Sequence, residues 1–480
     1  ASYLIDPESS HQLLVLAERE AGIRLATFES IAPRVKRGSK PTAQDVEVEV
    51  LAPYATSQVE AIFALRSRFE AHLDGNDLGK LNRSIELPLS EILSRMERYG
   101  VRIEAVPLKQ LGLQMADELA RLETAAFEAA GKPFNLGSPK QLEAILYDEL
   151  QLKSTKKTKT GRSTDAESLE AIKDDHPLPK LVLDHRAVAK LKSTYVDALP
   201  RLIHSDTGRV HTRWEQAVAA TGRLSSKDPN LQNIPIRSEH GKKIREAFTA
   251  PEGMLILSAD YSQIELRVLA HLSQDPKLVE AFNAGQDVHV RTAMEIFGVA
   301  EEEVTAEMRS QSKTVNFGVI YGMGSVALAK RLGITRKEAK SFINAYFERY
   351  EGVRHYMADT LERAKADGVV HTMLGRQRVL RDIGSKHHGK RAYAERIAQN
   401  TPIQGSAADL LKLAMLAFTE PVVEGARMVL TVHDELVFEV PAEHIDGATA
   451  ETKMRMESIF EMSVPLVVDI GSGESWAEAH

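Results

Sequence analysis

The spacing of apolar and polar positions changes along this chain, and the changes divide it. Leu89, Ile92, Leu93 and Met96 recur at helical spacing and stop at Tyr99-Gly100, which predicts an amphipathic helix with a glycine stop. A second helical pattern runs from about Leu108 to Ala130, and 131–205 stays helical around a polar, basic tip. Residues 206–260 shift to short β-rich runs with turn signals at Asp206-Thr207-Gly208 and Asp228-Pro229-Asn230. Residues 261–400 show almost unbroken helical periodicity. From Arg427 strands return: Met428 to Val432, a tight His433-Asp434 turn, then Glu435 to Val440. Upstream, 1–85 reads as a small α/β piece ending in a long helix from Thr56 to about Leu78, with a break at Asp74-Gly75-Asn76-Asp77.

Two of the β-rich runs each carry an aspartate to the edge of a sheet: Asp260 within 255–267 and Asp434 within 428–440. The pattern predicts one sheet built from both, with helices inserted between. Two carboxylates on neighbouring strands can hold a pair of divalent cations about 3.5–4 Å apart, which activates an attacking oxygen and stabilises a leaving one in phosphoryl transfer. Hard oxygen ligands point to magnesium or manganese, and His-Glu-x-x-His is absent. Taken singly, each aspartate also fits a solvated strand end. His433-Asp434-Glu435 weighs toward a bound ligand, because three polar residues at a buried sheet edge are costly unless something binds there.

Arg309, Lys313, Phe317 and Tyr321 recur every four residues and share one helix face. Two cations at that spacing cost a helix roughly 0.2–0.5 kcal/mol, which a solvated helix tolerates. With an aromatic ring on each of the next two turns, the face also suits a triphosphate clamped by the cations and a base or sugar flanked by the rings. Gly318 and Gly322 would let a backbone approach closely. The segment from Thr221 to Pro235 is turn-rich and dense in donors (Arg223, Asn230, Gln232, Asn233), as either an ordinary loop or a contact to sugars, phosphates and minor-groove acceptors. Arg396, Asn400 and Gln404 again share a face, either solvated or opposing a duplex. Glu301-Glu302-Glu303 reads as a solvated helix start, His387-His388 as exposed, His480 as a plain chain end, and Trp214 and Trp476 as packing residues.

Composition adds limits. The 480 residues suit two to four domains, and 43% hydrophobic with 27% charged residues is ordinary for a globular chain. No apolar run reaches transmembrane length, and the N-terminus has no signal-peptide pattern. The chain opens on Ala1 without Met, as a fragment or processed chain would. With no cysteine, disulfides and thiol chemistry are excluded. The net charge of −7 argues mildly against a nucleic-acid partner. Its distribution answers that, because Lys153, Lys156, Lys157, Lys159 and Arg162 crowd one stretch and Arg186, Lys190 and Lys192 follow, as if lining a cleft.

These motifs, in this order, resemble family A DNA polymerases of the bacterial DNA polymerase I type. Asp260–Arg267 resembles the first polymerase motif, Arg309–Gly322 the second and Val432–Glu435 the third, and the likeness runs from about Ile85 to His480. The resemblance implies an α/β (α+β) right-hand fold, with a palm antiparallel sheet and helical fingers and thumb. Thumb would be 86–205, palm 206–272 with 398–480, and fingers 273–397. Residues 1–85 would be a truncated, inactive remnant of a 3′–5′ exonuclease-like domain, as in a Klenow-like fragment. Asp260 and Asp434 would hold two Mg2+ ions, for which Mn2+ could substitute, with the Tyr261 carbonyl as a further ligand. Arg309 and Lys313 would bind the incoming triphosphate, with Gln263 and His289 nearby and Lys313 counted with the catalytic set. Phe317 and Tyr321 would border the nascent pair, and Phe317 implies rejection of dideoxynucleotides. Glu265 would block a ribose 2′-hydroxyl. Lys190, Arg223, Asn230, Asn233, Arg396, Asn400, Gln404 and His433 would contact primer–template DNA. The Lys153–Arg162 tip would grip the duplex backbone. A cytoplasmic monomer using dNTPs, with no membrane partner, is implied.

The chain departs from the family where proofreading carboxylates would stand. Tyr54-Ala55-Thr56-Ser57-Gln58 puts an amide where Tyr-x-x-x-Asp is usual, and an amide is a poor magnesium ligand. No 3′–5′ proofreading and no 5′-nuclease are expected in this chain. Rival readings are a primer–template binding protein with a degenerate centre, opposed by intact Asp260, Asp434, Arg309 and Lys313, and a single-subunit RNA polymerase, opposed by Glu265. Copying of RNA templates stays open.

Overall fold

The computed structural model describes residues 1–33, 41–75, 78–159, 161–236 and 238–480. At its centre is a four-stranded antiparallel sheet, and the elements leading to it follow in chain order. A long helix α1 (Val48–Gly75) precedes α2 (Leu87–Tyr99), the short strand β1 (Val101–Arg102), α3 (Ala105–Ala130) and α4 (Pro177–Leu191). Strands β2 (Arg209–Val210), β3 (Arg213–Glu215) and β4 (Ser225–Lys227) and helix α5 (Glu239–Glu246) come next. Then follow β5 (Met254–Tyr261), α6 (Ile264–Ser273), α7 (Val288–Phe297), α8 (Ala306–Ile320) and α9 (Glu351–Asp367). The hairpin β6 (Val369–His371) and β7 (Gln377–Val379) leads into α10 (His388–Leu416). Strands β8 (Arg427–Val432), β9 (Glu435–Pro441) and β10 (Val468–Gly473) complete the sheet, in the order β10-β5-β9-β8.

Strands β5 and β9 are buried along most of their length, on both faces of the sheet. That is why they read as near-continuous apolar runs rather than as an alternation. Leu257, Ala259, Leu436 and Val440 are fully enclosed. The core they start extends through α6, α8 and α10 to Leu89 and Met96 on α2. A second apolar cluster, from Ala126 to Val182, sits at the far end of α3 and α4. This is the mixed α+β fold expected, with both aspartate-bearing runs in one sheet.

Three expectations are corrected. Residues 1–85 contain no strand among the described residues. The alternating Val46-Glu47-Val48-Glu49-Val50 run looks extended, but it has no neighbouring strand to complete its hydrogen bonds. It feeds instead into α1, which starts at Val48 rather than Thr56 and leaves Val48 and Val50 exposed. Asn76 and Asp77 of the expected break lie outside the described residues, and α1 ends at Gly75. The helical stretch 261–400 is interrupted by the β6–β7 hairpin, and α5 forms within the β-rich stretch.

Candidate active site

The β5–β9 ladder sets Asp260 directly opposite Glu435, and β10 sets Asp469 on its other side. The Tyr261 amide donates to the Asp434 carbonyl at 3.2 Å, so the hairpin turn carries Asp434 beside the end of β5. Two residues flanking these aspartates have left-handed backbones: His433 (φ 56°) in the turn and Gln263 (φ 54°) at the start of α6. Non-glycine residues pay for that conformation, and such strain gathers at functional sites. His433 is exposed, so the expected cost of three buried polar residues falls on Asp434 and Glu435 alone.

Burial, then the like charges of Asp434 and Glu435, push the Asp260 carboxyl up to about 7. Burial also raises Asp434, against the pull of Arg223. Among the described residues neither carboxylate has a hydrogen-bond or ion-pair partner, and no ready-made cluster of three or more His, Asp and Glu surrounds them. Two adjoining, repelling, oxygen-only ligands without a direct ion-pair partner fit hard divalent cations. Tyr261, next to Asp260, is buried, its hydroxyl donating to the Met456 carbonyl at 2.7 Å.

Glu435 is different, being fully provided for. It accepts from Ser258 Oγ at 2.6 Å and Trp476 Nε1 at 2.7 Å, with His480 Nδ1 at 3.5 Å and Arg245 at 3.9 Å. These partners hold its carboxyl below the usual range despite burial. The Arg245 guanidinium lies 3.6 Å over the Trp476 ring. Arg245 escaped sequence reasoning, and His480, read as a plain chain end, is a correction. Only the apolar cost of burying Glu435 hinted at such partners.

On α8 the Thr305 hydroxyl accepts from Met308 N and caps the helix. Arg309 donates through Nε and Nη2, each at 2.7 Å, to Asp287 Oδ2. Asp287 Oδ1 caps α7 by accepting from the His289 and Val290 amides. His289 is buried and accepts at Nδ1 from Asn316 at 2.8 Å. Burial, with Lys313 and Arg309 adding repulsion, lowers it to about 4, so the ring is neutral. Phe317 and Tyr321 stack at 6.4 Å and 22°. The Tyr321 hydroxyl donates to Glu265 Oε2 at 2.7 Å, and Arg223 donates to Glu265 Oε1 at 2.5 Å. Glu265 is buried in the first turn of α6, which raises its carboxyl. Gln263 keeps a buried, unpartnered Oε1. Gly322 is needed: a Cβ there would lie 3.0 Å from Arg396 Cγ. Gly318 is not, because its Cβ would find only ordinary contacts.

Arg223, Gln232, Lys412, His433 and Asp434 line one cleft. Arg396, Asn400 and Gln404 follow one another along α10; Arg396 is exposed, and Asn400 keeps a buried Oδ1 without a partner. Asn230 Oδ1 accepts from the Gln232 amide and serves its own turn, while Asn233 is exposed. Lys190 stands exposed on α4, outside the cleft. At the basic tip, Lys156 pairs with Asp165 and Arg162 with Glu143 and Asp148, so part of its charge is already spent. Thr160 and Arg237, within the tip and the donor-rich segment's extension, lie outside the described residues.

The family model described as DNA polymerase family A matches residues 106–478. The chain is 44% identical over 484 residues to DNA polymerase I of Bacillus subtilis, spanning 100% of this chain and 54% of that protein. It is 49% identical over 424 residues to the thermostable DNA polymerase I of Thermus aquaticus, spanning 87% and 51%. It therefore spans about half the length of the curated relatives it matches. The polymerase domain of Pol1 from M. smegmatis, solved with DNA primer-template and dNTP, superposes with a TM-score of 0.89 at 40% identity, covering 100% of this chain and 81% of that one. No helix among the described residues is long and apolar enough to cross a membrane. By sequence over most of its length and by fold, the chain belongs to DNA polymerase family A.

Proposed function

We propose that this chain is a template-directed DNA polymerase that adds deoxynucleotides to a primer 3′-hydroxyl and releases pyrophosphate. The observation that carries the reading is the pair Asp260 and Asp434, side by side and without a direct ion-pair partner among the described residues, in the same molecule as the Arg309/Lys313 face of α8. Two Mg2+ or Mn2+ ions held by Asp260, Asp434 and the Tyr261 carbonyl would supply activation of the 3′-hydroxyl and charge stabilisation at the α-phosphate. Arg309 and Lys313 bind and orient the triphosphate and neutralise charge on the leaving pyrophosphate. To do so Arg309 leaves Asp287 for a phosphate, a like-for-like exchange of anionic oxygens. His289, uncharged, borders the phosphates as a hydrogen-bonding group. Phe317 and Tyr321 pack on the nascent pair. Glu265, anchored by Arg223 and Tyr321, presents a fixed wall to a ribose 2′-hydroxyl.

Arg223, Asn230, Asn233, Arg396, Asn400, Gln404 and His433 contact primer–template, and Lys190 the duplex backbone. The division into remnant (1–85), thumb (86–205), palm (206–272 with 398–480) and fingers (273–397) belongs to the same proposal. Gln58 on α1, in place of a carboxylate, supports the absence of proofreading in this chain.

The test is extension of a recessed primer with Mg2+ and four dNTPs, beside Asp434→Ala, with a mismatched primer in the absence of nucleotides. Extension lost in the variant, with the mismatched primer kept at full length, is the expected result. Duplex binding without extension by the unsubstituted chain would overturn it in favour of a binding protein. An RNA template in a parallel lane reads out reverse transcription.

A further inference from the structure

Behind the cleft, four charged side chains from three distant segments are buried together: Glu86, Arg376, Asp409 and Lys412. Arg376 donates to Asp409 Oδ1 through Nε at 2.8 Å and Nη2 at 2.7 Å, and also to Glu86. Lys412 Nζ donates to Glu86 at 2.7 Å, and Thr372 Oγ1 to Asp409 Oδ2 at 2.7 Å. Gln216 donates to both the Glu86 carbonyl and its carboxylate at 3.0 Å. Buried ion pairs of this kind seldom stabilise a fold more than apolar packing would, because desolvation offsets their attraction. Their geometry is therefore the more informative property.

That geometry leads to the candidate site. Arg376 Nε lies 2.7 Å from where a Cβ on Gly222 would be, so the guanidinium fills the space that a side chain there would need, next to Arg223. Gly222 has φ 89°, a conformation that favours glycine. From the other side α10 approaches at Gly405, where a Cβ would lie 3.2 Å from the Thr221 carbonyl and against Thr372. Lys412 lines the same cleft as Arg223, His433 and Asp434. Tyr3, with its ring 6.0 Å from the Arg376 guanidinium, covers the cluster, and Gln377 donates to the Ile5 carbonyl at 2.7 Å.

We propose that Arg376, locked by Glu86 and Asp409, is a positioning residue that wedges the Thr221–Arg223 turn and so aims Arg223 at Glu265 and the primer end. The inference rests on the polymerase reading above. Arg376 touches no substrate and acts through Arg223. Burial and the neighbouring Arg376 lower Lys412 to about 8, which marks how fully the cluster is withdrawn from water.

The experiment is a double-mutant cycle on the full chain with Arg376→Lys, Arg223→Ala and the pair. Lysine keeps the charge but lacks the planar fork that reaches both carboxylates. The readouts are kcat and KM for primer–template in single-nucleotide extension, and the ratio of deoxy- to ribonucleotide incorporation. Arg376→Lys should lower kcat/KM about tenfold and lower the ratio, and both effects should largely vanish in the Arg223→Ala background. The same loss in both backgrounds, or wild-type behaviour of Arg376→Lys, overturns the inference. If thermal unfolding shows that Arg376→Lys is not folded, Thr372→Val, which removes one hydrogen bond from Asp409, enters the same cycle with the same criteria. Failure of the unsubstituted chain to extend any primer would overturn the polymerase reading and this inference with it. Extension with independent effects overturns this inference alone.

Discussion

Asp260 is a carboxylate held where a carboxylate is disfavoured. Its pKa of about 7 in the fold stands above the ordinary 3.8. A raised carboxyl favours the folded state below the unfolded pKa, and that advantage is lost as pH rises through the folded pKa. In metal-free protein Asp260 should therefore be tolerated near pH 4 and cost stability above pH 7, by at most ~4 kcal/mol. Asp260→Asn, which cannot ionise, should melt above the parent in EDTA at pH 8, and the gap should close toward pH 4. Added Mg2+ should raise the melting temperature of the parent and leave the variant unmoved. Equal melting of the two at pH 8 would refute this account. Glu265 gives a second prediction. Glu265→Ala should remove the wall to a 2′-hydroxyl and raise ribonucleotide incorporation relative to dNTP, read by primer extension with a single ribonucleotide. The two aspartates could be singled out because each ends a local apolar run, and the cationic face of α8 because its residues recur every four positions. Asp287, Arg245 and Arg376 were not, because their partners lie 22 or more residues away and nothing in spacing announces them.

At the level of elements, legibility followed whether the signal was local. The β8–β9 hairpin was read to within a residue, since two apolar runs with a two-residue turn specify their own pairing. The β6–β7 hairpin, three residues a side, is too short to show a period against the helices around it. In 1–85 the expected α/β piece has no strand among the described residues, because nothing pairs with the alternating valine run. The α7–α8 pair supplies a prediction of its own. Asp287 holds Arg309 while also capping α7, and asparagine caps a helix about as well as aspartate. Asp287→Asn should thus keep α7 intact but release Arg309, and the KM for dNTP should fall without loss of kcat. Arg309→Ala removes a charge-assisted contact of about 1.5–3 kcal/mol, so it should raise KM roughly 10- to 100-fold. Titration of dNTP in single-nucleotide extension measures both. A rise in KM for Asp287→Asn would mean that the aspartate orients Arg309 for phosphate rather than competing with it.

For the whole molecule, the proposed function requires a chain with net charge −7 to hold a polyanion. Its cations must act locally, since charges more than about 10 Å from the duplex are largely screened at 0.1 M salt. Two at the basic tip, Lys156 and Arg162, are already paired with carboxylates, which lowers the number free to neutralise phosphates. Each phosphate neutralised releases counterions and contributes about −0.9 to the slope of log K against log salt for B-form DNA. Lys190, exposed on α4, is placed to be one such contact, so Lys190→Ala should reduce the slope by about 1 in a fluorescence titration of primer–template. Asn400, with an uncharged amide and a buried oxygen awaiting a donor, should behave otherwise. Asn400→Ala should weaken binding at every salt concentration while leaving the slope as it was. An unchanged slope for Lys190→Ala would place the duplex elsewhere than along α4, and the cleft lined by Arg223 and His433 would then have to carry the electrostatic share alone.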